Sequence, residues 1–134
     1  MQATGLDSGG ADAVLLCNAL HVATEPELAL DEAVRLARPG APIILTWPLD
    51  SVSNDQLLRL ELGLGRSWLR AFAADQSRRV IALVARVMRT PRVNDAQLDT
   101  IARSATDRHG LRRSSDEVLM GCQRIVVLTQ RAAE

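Results

Sequence analysis

Aromatic side chains are scarce in this chain of 134 residues, which has no tyrosine and carries only Trp47, Trp68 and Phe72. Proteins that bind single-stranded nucleic acid stack the bases on exposed aromatic rings. The scarcity of aromatic rings therefore argues against a nucleic-acid partner.

Lysine is absent, because all sixteen basic residues are arginine. This excludes every mechanism that needs a lysine amine, such as a Schiff base or a lysine general base. Arginine in place of lysine is typical of a GC-rich genome, and we expect a bacterial source.

The features of secreted and membrane proteins are also missing. A disulfide framework needs more than Cys17 and Cys122, which lie far apart in apolar runs, so we expect two buried free thiols. Residues 1–10 do not resemble a signal peptide, and no apolar run approaches a membrane span. We therefore predict a cytoplasmic protein with no membrane partner. The two histidines and two cysteines have no zinc-site spacing, so no metal site is predicted.

What is present fits one folded domain over residues 1–134. Apolar residues make up 47% of the chain and charged residues 24%, which is ordinary for a globular protein. The net charge is zero, but residues 1–65 carry a net charge of −6 and residues 66–134 a net charge of +6.

The first part of the sequence predicts a strand, a helix and a second strand. Residues 12–17 and 42–47 are short apolar runs, which are typical of parallel strands buried on both faces. Between them, Thr24 and Glu27 have the spacing of a capping box, and Arg38-Pro39-Gly40 ends the predicted helix. This order predicts a βαβ unit with a right-handed crossover.

The remainder predicts three helices and two strands. Two pairs have capping-box spacing at helix starts, Ser53 with Gln56 and Asn94 with Gln97. An apolar stripe follows the first pair, at Leu57, Leu60, Leu64, Trp68 and Phe72. Gly63 and Gly65 are expected to kink or split this helix, and a second helix is predicted over about 76–89. Residues 111–115 and 120–130 predict two strands joined by a short turn.

Three segments carry a resemblance to class I S-adenosylmethionine-dependent methyltransferases. Residues 7–14 (DSGGADAV) resemble the entry to the fourth strand of that family, and residues 17–22 (CNALHV) resemble the exit from it. Residues 32–41 (EAVRLARPGA) resemble the helix end and turn before the fifth strand. The resemblance is strong over residues 7–47, weaker over 94–130, and absent over the helical middle.

The resemblance implies an α/β fold and only the C-terminal half of a methyltransferase. It predicts a partial Rossmann-like sheet of about four strands in the family order 4-5-7-6, with the last strand antiparallel and residues 48–93 as a helical cap or insertion. The family's glycine-rich cofactor loop and ribose-binding acid would precede residue 1. The strand over residues 12–17 would then have a bare apolar edge, and such edges pair readily. We therefore expect a partner there, either a second copy or a separate N-terminal half.

The resemblance also predicts site residues at the carboxyl ends of the first two strands. His21 is the candidate general base, because imidazole titrates near neutral pH, and its alternative role is packing in a loop. Asn18, Ala19 and Leu20 are candidate cofactor contacts, although asparagine also favours turns. Trp47 and Asp50 are candidate substrate contacts; the alternatives are a core role for Trp47 and a turn or cap role for Asp50.

Two functions follow from these expectations. The first is methyl transfer from S-adenosylmethionine to a small-molecule acceptor once a partner chain completes the domain. The second is a non-catalytic, methyltransferase-derived module that dimerises or regulates a partner.

A group of arginines has two interpretations. It is either a surface for an anionic substrate or partner or a solvated helix face, and its members are Arg78, Arg79, Arg86, Arg89 and Arg92.

Overall fold

The computed structural model describes residues 5–87 and 92–130, which form four strands and four α-helices. In chain order these are β1 (Val14–Cys17), a short 3₁₀ helix (Leu20–Val22), α1 (Pro26–Leu36), β2 (Pro42–Pro48), α2 (Asn54–Gly63), α3 (Trp68–Val87), α4 (Asp95–Arg108), β3 (Leu111–Leu119) and β4 (Gln123–Gln130). No helix in these ranges is long and apolar enough to cross a membrane.

The four strands form one mixed sheet in the order β1-β2-β4-β3. β1 and β2 are parallel, whereas β4 is antiparallel to both β2 and β3. This confirms the predicted partial sheet, in which the last strand of the chain inserts antiparallel between the second and the third. The structure is an α/β fold, as predicted.

The predicted capping box at α1 is wrong. The helix is preceded by Glu25 rather than Thr24, and the Glu25 side chain forms no capping hydrogen bond. Pro26 explains the difference, because the residue before a proline is disfavoured in helical conformation. Glu25 therefore cannot be the first helical residue, and Pro26 takes that position.

The other helix starts agree with the sequence. Ser53 with Gln56 and Asn94 with Gln97 both form complete capping boxes, at α2 and α4. The helical middle divides at Gly63 to Gly65, as predicted, but α3 begins at Trp68 rather than near residue 76. Residues 88 and 89, at the predicted end of that helix, lie outside the described residues.

The hydrophobic core lies on one face of the sheet, beneath α1 and α4. Alternate residues of the two central strands point into it, and the helices add small and branched side chains. Its members include Ile43, Leu45, Trp47, Val126 and Leu128 from the strands, and Leu30, Ala33, Leu98, Ala102 and Ala105 from the helices. Apolar residues alternate with others along the strands and recur at helical spacing in α1 and α4. Both patterns are expected where helices cover one face of a sheet.

β1 is not buried on both faces, contrary to the prediction. Val14 and Leu16 pack against the core, whereas Leu15 is 60% exposed and Cys17 is exposed. The opposite sheet face is only partly covered at Ile44 and Val127. The prediction of two buried thiols is therefore wrong for Cys17, because its side chain lies on this second face.

The two middle helices pack through charged side chains. Arg78 bonds Glu61 of α2 at 2.6 Å, and Arg79 lies 3.6 Å from Asp55 of α2. Arg79 also bonds Asp75 of its own helix at 2.8 Å. Asp75 is buried, together with Ala71. Four of the five arginines of the predicted group are described, and two of them are thus in ion pairs; Arg89 lies outside the described residues.

The predicted apolar stripe of the middle helices is only partly covered: Leu57 and Leu60 are half-buried, whereas Leu64, Trp68 and Phe72 are exposed. Along α3, Leu69 is 71% exposed and Val80 is 59% exposed, and four further large side chains behave alike: Trp68, Phe72, Leu83 and Val84. Leu69, Phe72, Val80, Leu83 and Val84 recur at helical spacing on the side of α3 away from Ala71 and Asp75. The helical periodicity is confirmed, but these apolar side chains are exposed in the part of the chain that the structure describes.

The turn of the terminal hairpin lies later in the chain than predicted. β3 continues to Leu119, and the turn lies at residues 120–122. Asp116 follows the predicted end of this strand at residue 115 but lies on β3, where it pairs across the strands with Arg124 at 2.8 Å. Cross-strand ion pairs of this kind stabilise charged residues inside a strand.

We predict that Trp47→Phe lowers the free energy of unfolding by about 1–3 kcal/mol, because the indole N–H donates to the Asp95 carboxylate at 2.6 Å in the core. Urea unfolding followed by circular dichroism measures this change. Trp68→Phe is the matched control, since Trp68 is 62% exposed, and it should change stability by less than about 0.5 kcal/mol. Equal effects of the two substitutions would contradict the prediction.

Candidate functional site

The carboxyl ends of β1 and β2 meet at one end of the sheet. The two strands are parallel and in register from Val14 opposite Ile43 to Cys17 opposite Thr46. Asn18 continues the ladder, since its N–H donates to the Thr46 carbonyl at 2.9 Å. Open α/β sheets bind ligands outside this end of their strands. The residues that follow β1 and β2 are therefore the candidate site.

His21 is fixed at this end by the residues around it. Its 3₁₀ helix is anchored by Leu20, which is fully buried, and the His21 carbonyl accepts a hydrogen bond from the Val93 N–H at 3.1 Å. His21 itself is half-buried and lines a cavity of about 340 Å³. Asp50 and Arg92 line the same cavity. The structure thus brings together two predicted site residues, His21 and Asp50.

The surroundings of His21 favour the neutral imidazole. Burial lowers the pKa of His21 below its ordinary value, and the positive charge of Arg92 lowers it further, while the Asn18 backbone acts in the opposite direction. The Nδ1 atom is enclosed and has no hydrogen-bond partner among the described residues. A neutral imidazole can accept a proton, and Nε2 is the ring nitrogen left for an incoming ligand.

Asp50 has a structural contact as well as a place in the cavity. Its carboxylate accepts a hydrogen bond from the Asp95 N–H at 2.8 Å, in the first turn of α4. This contact satisfies a backbone donor that the helix leaves unpaired. It agrees with the alternative of a cap role for Asp50, and the carboxylate is still exposed at the cavity wall.

Trp47 is not brought to the cavity. It is fully buried, its indole N–H is bonded to Asp95, and the Arg124 guanidinium lies 5.9 Å from the ring centroid. The prediction that Trp47 contacts a substrate is therefore wrong, because β2 is a central strand and turns this side chain into the core beneath α4.

The three predicted cofactor contacts lie in different environments. Asn18 and Ala19 are exposed at the carboxyl end of β1. The Leu20 side chain is enclosed in the core, so only its backbone could contact a ligand. Asn18 has a φ of +50°, in the left-handed region that asparagine tolerates better than most residues.

Sequence reasoning missed Gln123, which closes this end of the sheet. Its side-chain amide donates to the Asn18 Oδ1 at 3.0 Å and to the Thr46 Oγ1 at 3.1 Å. No local pattern marks Gln123, because it meets Asn18 only through the antiparallel insertion of β4. The place of Arg92 beside His21 was also missed, although the net positive charge of that region was evident.

A second, larger cavity adjoins the first. It has a volume of about 600 Å³ and shares Arg92, Val93 and Asn94 with the His21 cavity. The remaining walls come from the chain before α1 and from the first turns of α4. A volume of this size matches that of small-molecule sites in proteins. Within the described ranges, no group of three or more metal-ligating side chains lies together.

No family model and no curated protein match the sequence. Among solved structures, the chain is similar to an O-methyltransferase family protein from Burkholderia thailandensis, with a TM-score of 0.55 and 17% sequence identity. The alignment covers 99% of this chain and 34% of that protein, so this chain spans about a third of its length. At this identity the similarity shows a methyltransferase-like fold.

We predict that His21 titrates with a pKa below its ordinary value of about 6.5. His21 then binds a proton less readily in the folded protein than in the unfolded chain. The stability that His21 contributes is therefore present above pH 6.5 and is lost as the pH falls toward the folded-state pKa.

Arg92→Gln should raise the pKa of His21, because it removes a positive charge. Nuclear magnetic resonance of the imidazole protons measures both values, with His109→Gln to assign the two histidines. Arg112→Gln is the control, and a His21 pKa at or above 6.5 would contradict the prediction.

Proposed function

We propose that this chain is one part of an S-adenosylmethionine-dependent methyltransferase and transfers a methyl group to a small-molecule acceptor once a partner chain completes it. The observation that carries the proposal is the uncovered state of β1 beside the candidate site. A strand with the apolar sequence Val-Leu-Leu-Cys lies at the sheet edge, and its second face is exposed at Leu15 and Cys17.

The apolar sequence of β1 is typical of a strand covered on both faces, whereas one face of β1 is exposed. This difference supports the proposal that a partner chain covers β1. Continuous apolar runs are typical of parallel strands covered on both faces and paired on both edges. An uncharged apolar edge is also a ready template for another strand. The similar O-methyltransferase family protein is about three times as long as this chain, which leaves room in such a fold for strands beyond β1. The proposed partner is a separate N-terminal half, which would supply strands beyond β1.

The residues at the predicted cofactor site also support a domain that is shared between this chain and a partner. Asn18 and Ala19 are exposed at the carboxyl end of β1 and could contact a cofactor there. A glycine-rich loop, which lets the backbone approach such a ligand, follows a parallel strand. Among the described residues, no glycine follows β1 or β2 directly; Gly9 precedes β1 and Gly40 precedes β2. We therefore assign the glycine-rich loop to the partner.

S-adenosylmethionine would supply an electrophilic methyl group when bound. His21 would take the proton of the acceptor hydroxyl at Nε2, since its imidazole is held neutral by burial and by Arg92. The 3₁₀ helix and the bond from Val93 hold the His21 backbone in place, and much of the rate would come from holding the reactants in line.

We predict that the tagged chain, isolated from its native cells in complex with its partner, binds S-adenosylhomocysteine, whereas the isolated chain does not. Calorimetry at known oligomeric state measures both. His21→Ala should lower methyl transfer by about a hundredfold without changing S-adenosylhomocysteine affinity, because general-base catalysis contributes roughly that factor.

Leu15→Arg should prevent assembly with the partner, because it places a charge on the uncovered face of β1. Val118→Arg is the matched control, since Val118 is 54% exposed on the opposite edge strand β3. A complex that fails to bind S-adenosylhomocysteine, or one that Leu15→Arg leaves intact, would contradict the proposal.

The exposed stripe of α3 favours a second candidate function, a dimerisation module that pairs two copies of this chain. The five side chains Leu69, Phe72, Val80, Leu83 and Val84 cover one side of a helix of 20 residues, or about 30 Å. Each exposes on the order of 100 Å², so the stripe alone offers on the order of 500 Å² of the roughly 800 Å² per partner in a stable interface. A two-fold axis would pack the same stripe from both copies together.

We predict that the double variant Leu69→Glu, Val80→Glu shifts the chain from dimer to monomer, because each carboxylate would otherwise be buried in the dimer without a partner. Size-exclusion chromatography with light scattering measures the mass. Leu6→Glu is the control, since Leu6 is 63% exposed outside α3. A wild-type chain that is monomeric at micromolar concentration would exclude this second function.

A further inference from the structure

We propose that the acceptor is a hydroxy acid, whose carboxylate binds Arg92 while its hydroxyl faces His21. This inference rests on the proposed methyl transfer and names the substrate class of the same site. The geometry behind it is the pair of adjoining cavities, which share Arg92, Val93 and Asn94.

Arg92 is held beside His21 by the backbone. The Val93 N–H donates to the His21 carbonyl at 3.1 Å, and Asn94 caps α4 immediately afterwards. Arg92 and Asn94, the neighbours of Val93 in the chain, thus lie close to His21. The guanidinium is close enough to act on the charge of the imidazole. A ligand that reaches both groups needs only the length of a small molecule.

Arg92 is free to bind an anion. It is exposed and forms no hydrogen bond or ion pair with the residues that the structure describes. Many arginines of the chain are committed to carboxylates, among them Arg35, Arg78, Arg113 and Arg124. An arginine left unpaired in a cavity wall retains its full capacity for bidentate binding.

The walls of the larger cavity favour an anion over a cation. Arg92 is its only charged lining residue in the part of the chain that the structure describes. Asn94 and Gln97 also line it, and their side-chain oxygens are engaged in the capping box, which leaves their NH₂ groups as donors. Asp50 lines the smaller cavity and would repel an anion there. The carboxylate is therefore assigned to the larger cavity and the neutral hydroxyl to the smaller one.

The balance of charge favours a carboxylate over a phosphate. A phosphate group carries close to two negative charges at neutral pH and is usually bound by several cations or by a helix N-terminus with free N–H groups. Here one guanidinium faces the ligand, and two N–H groups at the start of α4 are already bonded, that of Asp95 to Asp50 and that of Gln97 to Asn94. One arginine fork matches the charge and the two oxygens of one carboxylate.

The test compares two probes on the purified chain, 4-hydroxybenzoate and its uncharged amide, 4-hydroxybenzamide. Calorimetry should show the acid binding about tenfold more tightly than the amide, the ratio expected from one charge-assisted contact. The imidazole resonances of His21, and not those of His109, should move when the acid is added.

Arg92→Gln should abolish the difference in affinity between the two probes. Arg112→Gln is the matched control, because Arg112 is an exposed arginine on β3 that lines neither cavity, and it should leave the difference intact. Equal affinities in the wild-type chain, no binding of either probe, acid binding that survives Arg92→Gln, or acid binding that leaves His21 unmoved would each overturn the inference.

These results are separable from the test of methyl transfer. The probes are bound without cofactor or partner, whereas methyl transfer is tested by S-adenosylhomocysteine binding to the assembled complex. Acid binding through Arg92 with no cofactor binding would overturn the methyltransferase proposal alone. Cofactor binding with no preference for the acid would overturn the hydroxy-acid inference alone.

Discussion

The hydrogen bond between the Trp47 indole and Asp95 joins the centre of the sheet to the start of α4. Trp47 lies on β2, which pairs with β1 on one side and β4 on the other. Asp95 also contacts Arg124 on β4, at 3.4 Å, and its backbone N–H is bonded to Asp50. Because Arg92, Val93 and Asn94 immediately precede Asp95, this one junction determines where the wall opposite His21 lies. The wall of the site therefore depends on a core contact as well as on the bond between Val93 and His21.

Sequence patterns predict the structure correctly where the residues that contact one another lie close together in the chain. The capping boxes at Ser53 and Asn94 were predictable, because the residues that satisfy each other lie three positions apart. The strand order was predictable from resemblance, and His21 and Asp50 were placed at the correct end of the sheet. Trp47 was misplaced because the face on which a strand residue lies depends on tertiary packing. Gln123 was invisible for the same reason, since 105 residues separate it from Asn18.

The two largest errors share a physical origin. Apolar spacing in β1 and in α3 predicted burial, yet the second face of one and the outer side of the other are exposed. Spacing reports which side of an element is apolar, whereas burial needs a neighbour to cover that side. In both elements the sequence is suited to a larger assembly than the described residues provide. The ion pairs of Arg78 with Glu61 and of Arg79 with Asp55 join α3 to α2, while the apolar side of α3 stays exposed.

The position of β1 also affects how long the site persists in its ordered form. β1 has four residues, is hydrogen-bonded to one neighbour, and leads within four residues to His21. Short edge strands open at a lower free energy than central strands, and they do so without global unfolding. Local opening of β1 would displace His21 while β2 and β4 stay paired. Any strand bound to the free edge would slow this opening, so pairing and the lifetime of the ordered imidazole are thermodynamically linked.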